Sequence, residues 1–224
     1  AVVLFDIDGT LITSGGAGRQ AIILAFEQWL GRKDVTLDFS FAGMTDRLIT
    51  RRGFECLGLP VDEPDIDAFL DVYLGLLKTS VQTASTYGIH PGMVEALEQL
   101  KREPNVALGL GTGNVEVGAR IKLERMNLNA YFAFGGFGCD GEIRSDLIAA
   151  GIVRGRERLG APDAPALIIG DTPSDVQAAH ANGARCLGVA TGGATRAALE
   201  ASGADAIVDN LGEPGALDLL YDLL

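Results

Sequence analysis

The chain has 224 residues, 47 % of them hydrophobic and 21 % charged, with a formal net charge of −12. Such a composition belongs to a globular chain able to bury a core, and its acidity argues against a nucleic-acid partner, whose phosphates require clustered Lys and Arg. A small anionic substrate remains open, because a bound cation reverses the local field. No apolar run approaches the ~20 residues of a membrane span, so no membrane partner is expected. Cys56, Cys139 and Cys186 are far apart and lack metal-type spacing, and no charged-then-apolar leader precedes Val2. These features fit a reducing, cytoplasmic setting.

The first element is an apolar strand from Val2 to Phe5 that runs into Asp6-Ile7-Asp8-Gly9-Thr10. Carboxylates at i and i+2 of an extended chain share one side. An Asp at the end of a central strand costs free energy unless it is paired or binds metal, and a carboxylate can serve as a nucleophile that forms an acyl phosphate. A solvated turn or a helix cap is the plainer alternative.

After Leu11 the Gly-rich joint "TSGGAG" opens a helical pattern through Ile22, Phe26 and Leu30. "TDRLITRRGFECLGL" and "DAFLDVYLGLLKTSV" also read as helices, with no convincing strand between them. We therefore expect a small helical domain over 14–87, inserted into a core of 1–13 and 88–224, with Tyr87–Gly92 as the return joint. Within it "FAGMTDRLITRRG" holds Gly43, Thr45, Asp46, Arg47 and Arg51, and its plain reading is a surface helix N-capped by Thr45 or Asp46.

From about His90 onward, strand and helix alternate. "VALGL" (Val106–Leu110) precedes a helix over Val115–Met126 with Val117, Ile121 and Leu123 roughly on one side. "YFAFGGFG" reads as strand and loop, and Leu147–Leu159 as helix. "ALIIG" (Ala166–Gly170) is a strand followed by a helix with Val176, Ala179 and His180 near one face. "RCLGVA" and "DAIVDN" add two strands around a short helix near Thr195–Ala201. This rhythm predicts an α/β fold, a Rossmann-like, doubly wound parallel sheet. In such sheets ligands sit beyond the carboxyl ends of the strands, so Asp6, Thr112 and Asp171 should converge.

Asp171 and Asp175, at i and i+4, lie on one helix face and repel unless a cation sits between them. Hard oxygen ligands of this kind suit Mg²⁺. "LGLGTGN" fails the spacing of a dinucleotide loop, because Asn114 stands where the third Gly belongs, and no P-loop is present. Thr112 can instead offer its hydroxyl to a phosphate, with Gly113 and Asn114 in the same turn. A fixed cation is also needed. Arg144 is the first choice and Lys122 the second, its mid-helix position favouring a solvated face. Arg154, Arg156 and Arg158 are expected at the surface.

Taken in order, "DIDGT", the Thr of "GTGN", a basic residue and "GDTPSD" resemble the four motifs of the haloacid dehalogenase-like hydrolases. The helical insert resembles the cap of the phosphoglycolate phosphatase-like branch, and the resemblance implies that Gly43, Thr45, Asp46 and Arg47 lie where related caps bring a specificity loop, with Arg47 or Arg51 to pair with a second anionic group of the substrate. The resemblance implies that Asp6 is the nucleophile and that Asp8 is acid and then base, lending its main-chain carbonyl to Mg²⁺. It further implies that Thr112 holds the phosphoryl oxygens, that Asp171 ligates the metal and that Asp175 supports it. Gly9 and Thr10 would shape the loop. One position departs from the pattern: Arg144-Ser145 stands where a Lys, often followed by Pro, is usual, and a planar fork replaces a point charge. The expectation is an Mg²⁺-dependent phosphatase acting on a small phosphorylated metabolite through a phospho-aspartate, with the insert as a lid. A sugar-phosphate phosphomutase and a non-catalytic, receiver-like phospho-acceptor are the alternatives; the large insert and Asp8 disfavour the receiver.

Overall fold

The computed structural model describes residues 1–224. Six parallel strands form its sheet: β1 (Val2–Phe5), β4 (Ala107–Gly111), β5 (Gly135–Gly136), β6 (Ala166–Gly170), β7 (Arg185–Val189) and β8 (Ala206–Val208), in the order β5-β4-β1-β6-β7-β8. β1 lies in the middle and is buried along its whole length, as an apolar strand covered on both faces must be. The chain steps outward from β1 in both directions, which is the expected doubly wound topology. Register then places the site. Phe5 pairs with Leu110 on one side and Ile169 on the other, so Thr112 and Asp171 stand level with each other, one residue beyond Asp6, at the same end of the sheet.

The alternation of β1 divides the core. Val3 and Phe5 face a cluster with α4 (Met93–Leu100), α5 (Glu116–Glu124) and α9 (Ala216–Asp222). Val2 and Leu4 face α6 (Arg144–Leu159), α7 (Pro173–Ala181) and α8 (Arg196–Ala201). The segment after β1 has an apolar cluster of its own, built on α1 (Ala17–Leu30), α2 (Asp46–Cys56) and α3 (Glu63–Thr83). Its centre is aromatic: Phe26 meets Phe69 at 4.2 Å and Phe54 at 5.2 Å between ring centroids, geometry that adds to plain burial. Asp62 and Asp65 close a capping box at the start of α3, and Thr45 caps α2 by accepting the N–H of Leu48.

Several local expectations change. The two joints of the inserted segment are not loose: β2 (Ile12–Ser14) and β3 (Tyr87–Ile89) pair as an antiparallel ribbon. α4 and α9 are helices the chain pattern did not suggest, and "YFAFGGFG" contributes only the two residues of β5 after a short 3₁₀ turn at Asn129–Tyr131. α6 begins at Arg144, three residues earlier than its apolar pattern. α5 is rotated from the expected face, with Val117 exposed and Gly118, Ala119, Lys122 and Leu123 buried. His180 is exposed and faces Asp205, while Val176 and Ala179 are buried as expected. The three thiols are free, Cys56 and Cys139 exposed and Cys186 buried. No helix is long and apolar enough to cross a membrane.

Candidate active site

A cavity of about 310 Å³ opens above the carboxyl ends of β1, β4 and β6, between the sheet and the helical segment. Asp6 continues β1, donating its backbone N–H to Ile169 O at 2.9 Å, and its side chain is 9 % exposed. The turn after it is tight: Gly9 has φ +85°, and a Cβ there would lie 2.5 Å from Asp171 Oδ2. Only glycine permits both the dihedral and the approach. Thr10 Oγ1 donates to Asp171 Oδ1 at 3.1 Å, so the loop after β1 orients the acid that follows β6.

Arg144, the first residue of α6, reaches into this cluster with 8 % exposure. Its Nε donates to Asp175 Oδ1 at 2.8 Å, and Nη2 lies 2.6 Å from Asp175 Oδ1 and 3.0 Å from Asp6 Oδ1. Neither acceptor is well aligned with Nη2, which therefore keeps donor capacity. Asp175 is fully buried, and its Oδ2 accepts the N–H and hydroxyl of Thr172, at 3.0 and 2.7 Å. It fastens Arg144 to the start of α7.

Oxygens of Asp6, Asp171 and Asp175 come within 4.8 Å of one another. Burial, then the charges of Asp175 and Asp8, push Asp6 up to about 6 against the pull of Arg144. Burial, then Asp6 and Asp175, push Asp171 up to about 8. Three carboxylates face one guanidinium, an excess of two negative charges. This donor set fits a divalent cation with oxygen ligands.

Asp8 belongs to a different network. Its Oδ1 accepts Ser14 Oγ at 2.7 Å, and its Oδ2 accepts Lys122 Nζ at 2.6 Å and Asn114 Nδ2 at 3.0 Å. Asn114 in turn donates to Thr112 Oγ1 at 2.8 Å and accepts from Lys122 Nζ at 2.6 Å. Burial alone would raise Asp8, but Lys122, Asn114 and Ser14 together hold it below the usual carboxylate range. Lys122 is thus no solvated side chain: it is 4 % exposed and lines the cavity. Its burial follows helical spacing: Gly118, Ala119 and Lys122 of α5 share one buried stripe with Val115, the residue before the helix. A lysine on such a stripe reads as solvated only while its partner, Asp8, is distant in sequence. Ser14 gave no signal beyond its place in the joint.

The substrate-facing candidates separate. Thr112, Gly113, Asn114 and Asp46 line the cavity. Asp46 N–H donates to Gly113 O at 2.8 Å, and its Oδ2 accepts Val115 N–H at 2.9 Å, joining the helical segment to the core. Burial pushes Asp46 up to about 6 against the attraction of Lys122. Thr45 lies behind the wall as the α2 cap, donating to Glu142 O at 3.2 Å. Arg47 is placed elsewhere: it pairs with Asp67 at 2.6 Å and Glu63 at 2.5 Å and does not line the cavity. Arg51 pairs with Glu63 and with Glu142, the latter at 2.7 Å. Both arginines are occupied by acids of their own surroundings.

A sequence model of the family described as haloacid dehalogenase-like hydrolase matches residues 1–183. The chain belongs to that family of hydrolases. It is similar to a probable phosphatase, IndB, of Dickeya dadantii, with 28 % identity over 223 residues, covering 95 % of this chain and 90 % of the relative. It is also similar to a phosphoglycolate phosphatase of Pseudomonas fluorescens, 27 % identical over 232 residues and covering 99 % and 82 % of the two chains. Among solved structures, CbbY of Rhodobacter sphaeroides in complex with phosphate shares the fold with a TM-score of 0.76 at 19 % identity, covering 97 % and 98 % of the two chains. A hydrolase from Pseudomonas syringae does so at 0.75 and 23 %, over the whole of both chains.

Proposed function

We propose that the protein is a Mg²⁺-dependent phosphatase that hydrolyses a small phosphate monoester through a phospho-Asp6 intermediate. The observation that carries this reading is the buried triad of Asp6, Asp171 and Asp175 around Arg144, with Asp8 beside it on a separate hydrogen-bond network. The similarity to a phosphoglycolate phosphatase supports a small phosphorylated metabolite as the substrate class.

Asp6 attacks the phosphorus, forming an acyl-phosphate bond as the bond to the leaving oxygen breaks. Asp8, ionised in the free site, takes a proton from the phosphate monoester bound as its monoanion, gives it to that oxygen, and then takes one from the water that attacks phospho-Asp6, which frees inorganic phosphate and restores the Asp6 carboxylate. Thr112 and the free edge of Arg144 hold the phosphoryl oxygens. Asp6, Asp171 and the main-chain carbonyl of Asp8 would hold the metal, with Asp175 in support. When bound, the cation neutralises charge on the transferring phosphoryl group.

Residues 14–87 form the lid in this scheme, closing the cavity with Asp46 on its inner wall. A phosphomutase would use the same residues, and product analysis separates the two. The test is Asp6→Asn assayed on an aryl phosphate with Mg²⁺ and with chelator. We expect a loss of at least about 10⁴-fold in turnover, with the circular dichroism spectrum unchanged. Retained turnover in this variant overturns the mechanism.

A further inference from the structure

Lys122 sits on the middle of α5, where a chain packing for stability alone would place an apolar side chain. Burying an ammonium costs free energy that only good partners offset. Its partners are specific. Nζ meets Asp8 Oδ2 and Asn114 Oδ1, both at 2.6 Å, and Asn114 ties the pair to Thr112. Room for this head group is made at Gly18, where a Cβ would stand 3.2 Å from Nζ. With Ser14 on its other oxygen, Asp8 is gripped on both oxygens. No comparable grip is needed to fold the loop, since Gly9 N–H already bonds Ile12 O at 2.9 Å and Leu11 N–H bonds Ile7 O at 3.0 Å.

We propose that Lys122 is a positioning residue that sets the orientation of the Asp8 carboxyl for proton transfer on the leaving-group side. This rests on the phosphatase reading above. As the P–O bond to the leaving oxygen breaks, the proton passes from Asp8 to that oxygen, and Lys122 acts through where it holds Asp8. Its importance therefore scales with how much the departing oxygen needs a proton. A strongly acidic phenol leaves without help, whereas an alkoxide does not.

The experiment measures kcat/KM, which reports the step that forms phospho-Asp6, for dinitrophenyl, nitrophenyl, phenyl and alkyl phosphates with Mg²⁺. For Lys122→Met we expect a loss of about 10²-fold on the phenyl and alkyl esters that shrinks to a few-fold on the dinitrophenyl ester. In an Asp8→Asn background the same substitution should cost no more than about two-fold on any ester, because the residue through which it acts no longer carries a proton. Lys122→Arg, which keeps the cation, should recover part of the graded loss. The fold is guarded independently: Tyr87 Oη donates to the backbone carbonyl of Lys122 at 2.8 Å, a contact that survives replacement of the side chain.

A loss of equal size on every ester, present also with Asp8→Asn, would mean a purely structural lysine and overturn the proposal. Should Lys122→Met not fold, Lys122→Gln carries the same comparison. Failure of the phosphatase reading looks different, since wild type would then be inactive on all esters or Asp6→Asn would remain active.

Discussion

The two buried cations of the site do opposite electrostatic work. Arg144 sits among Asp6, Asp171 and Asp175, and two of these acids are still pushed up, to about 6 and about 8. Lys122 meets Asp8 and holds it below its ordinary range. The side of Asp6 is left with excess negative charge, while on the other side Lys122 offsets the charge of Asp8. A planar fork suits the first, because one guanidinium touches two carboxylates at once, and a point charge suits the second. The contrast also says on which side a divalent cation belongs.

Removing Arg144 should break the comparison most severely. Arg144→Met leaves buried carboxylates unpaired, at a cost of about 3–5 kcal/mol. We expect kcat/KM to fall by about 10²–10³-fold equally across leaving groups, with a lower Tm in thermal unfolding. An equal loss here and a graded loss for Lys122→Met would separate the two sides in one assay.

Metal addition sharpens the contrast next. Because the folded-state values of Asp6 and Asp171 lie above the ordinary 3.8, the metal-free fold binds more protons than the unfolded chain between that value and about 8. It therefore loses stability as pH rises through this window. Mg²⁺ needs the deprotonated carboxylates, so its stabilisation grows over the same range. At a hundredfold excess over Kd it should reach about 2.7 kcal/mol, or about 5–10 °C in Tm. Scanning calorimetry from about pH 5 to about pH 8, with and without Mg²⁺, reads this directly; a shift that shrinks towards high pH contradicts it.

A smaller effect is expected of Asp171→Asn. It relieves the repulsion and should raise the metal-free Tm at about pH 8 by a few degrees while removing the response to Mg²⁺. Smallest is Arg47→Ala, which should leave kcat/KM within about two-fold, because its guanidinium is engaged by Glu63 and Asp67 outside the cavity.

Asp6, Thr112 and Asp171 were legible because apolar runs stop at them, and parallel register aligns such stops. Arg144 was legible from its place before a helix. Lys122 was harder to see, because its partner Asp8 lies 114 residues away and nothing local marks the pair. Arg47 misled for the converse reason: a basic residue beside a loop suggests substrate contact, while the acids that engage it belong to another helix, α3. The ribbon of β2 and β3 was hidden because three-residue strands have no periodicity to show.

That ribbon has a consequence for how the molecule is put together. Ile12 stands opposite Ile89, so the long helical excursion leaves and returns through one ribbon of three residue pairs beside the sheet. For the core, the excursion is a closed loop whose ends are already tied, and the entropy of closing a loop rises only slowly with its length. Its size can therefore vary with little cost to the sheet beneath. A short turn joining Ser14 to Tyr87 would leave β1, β4 and β6 in register.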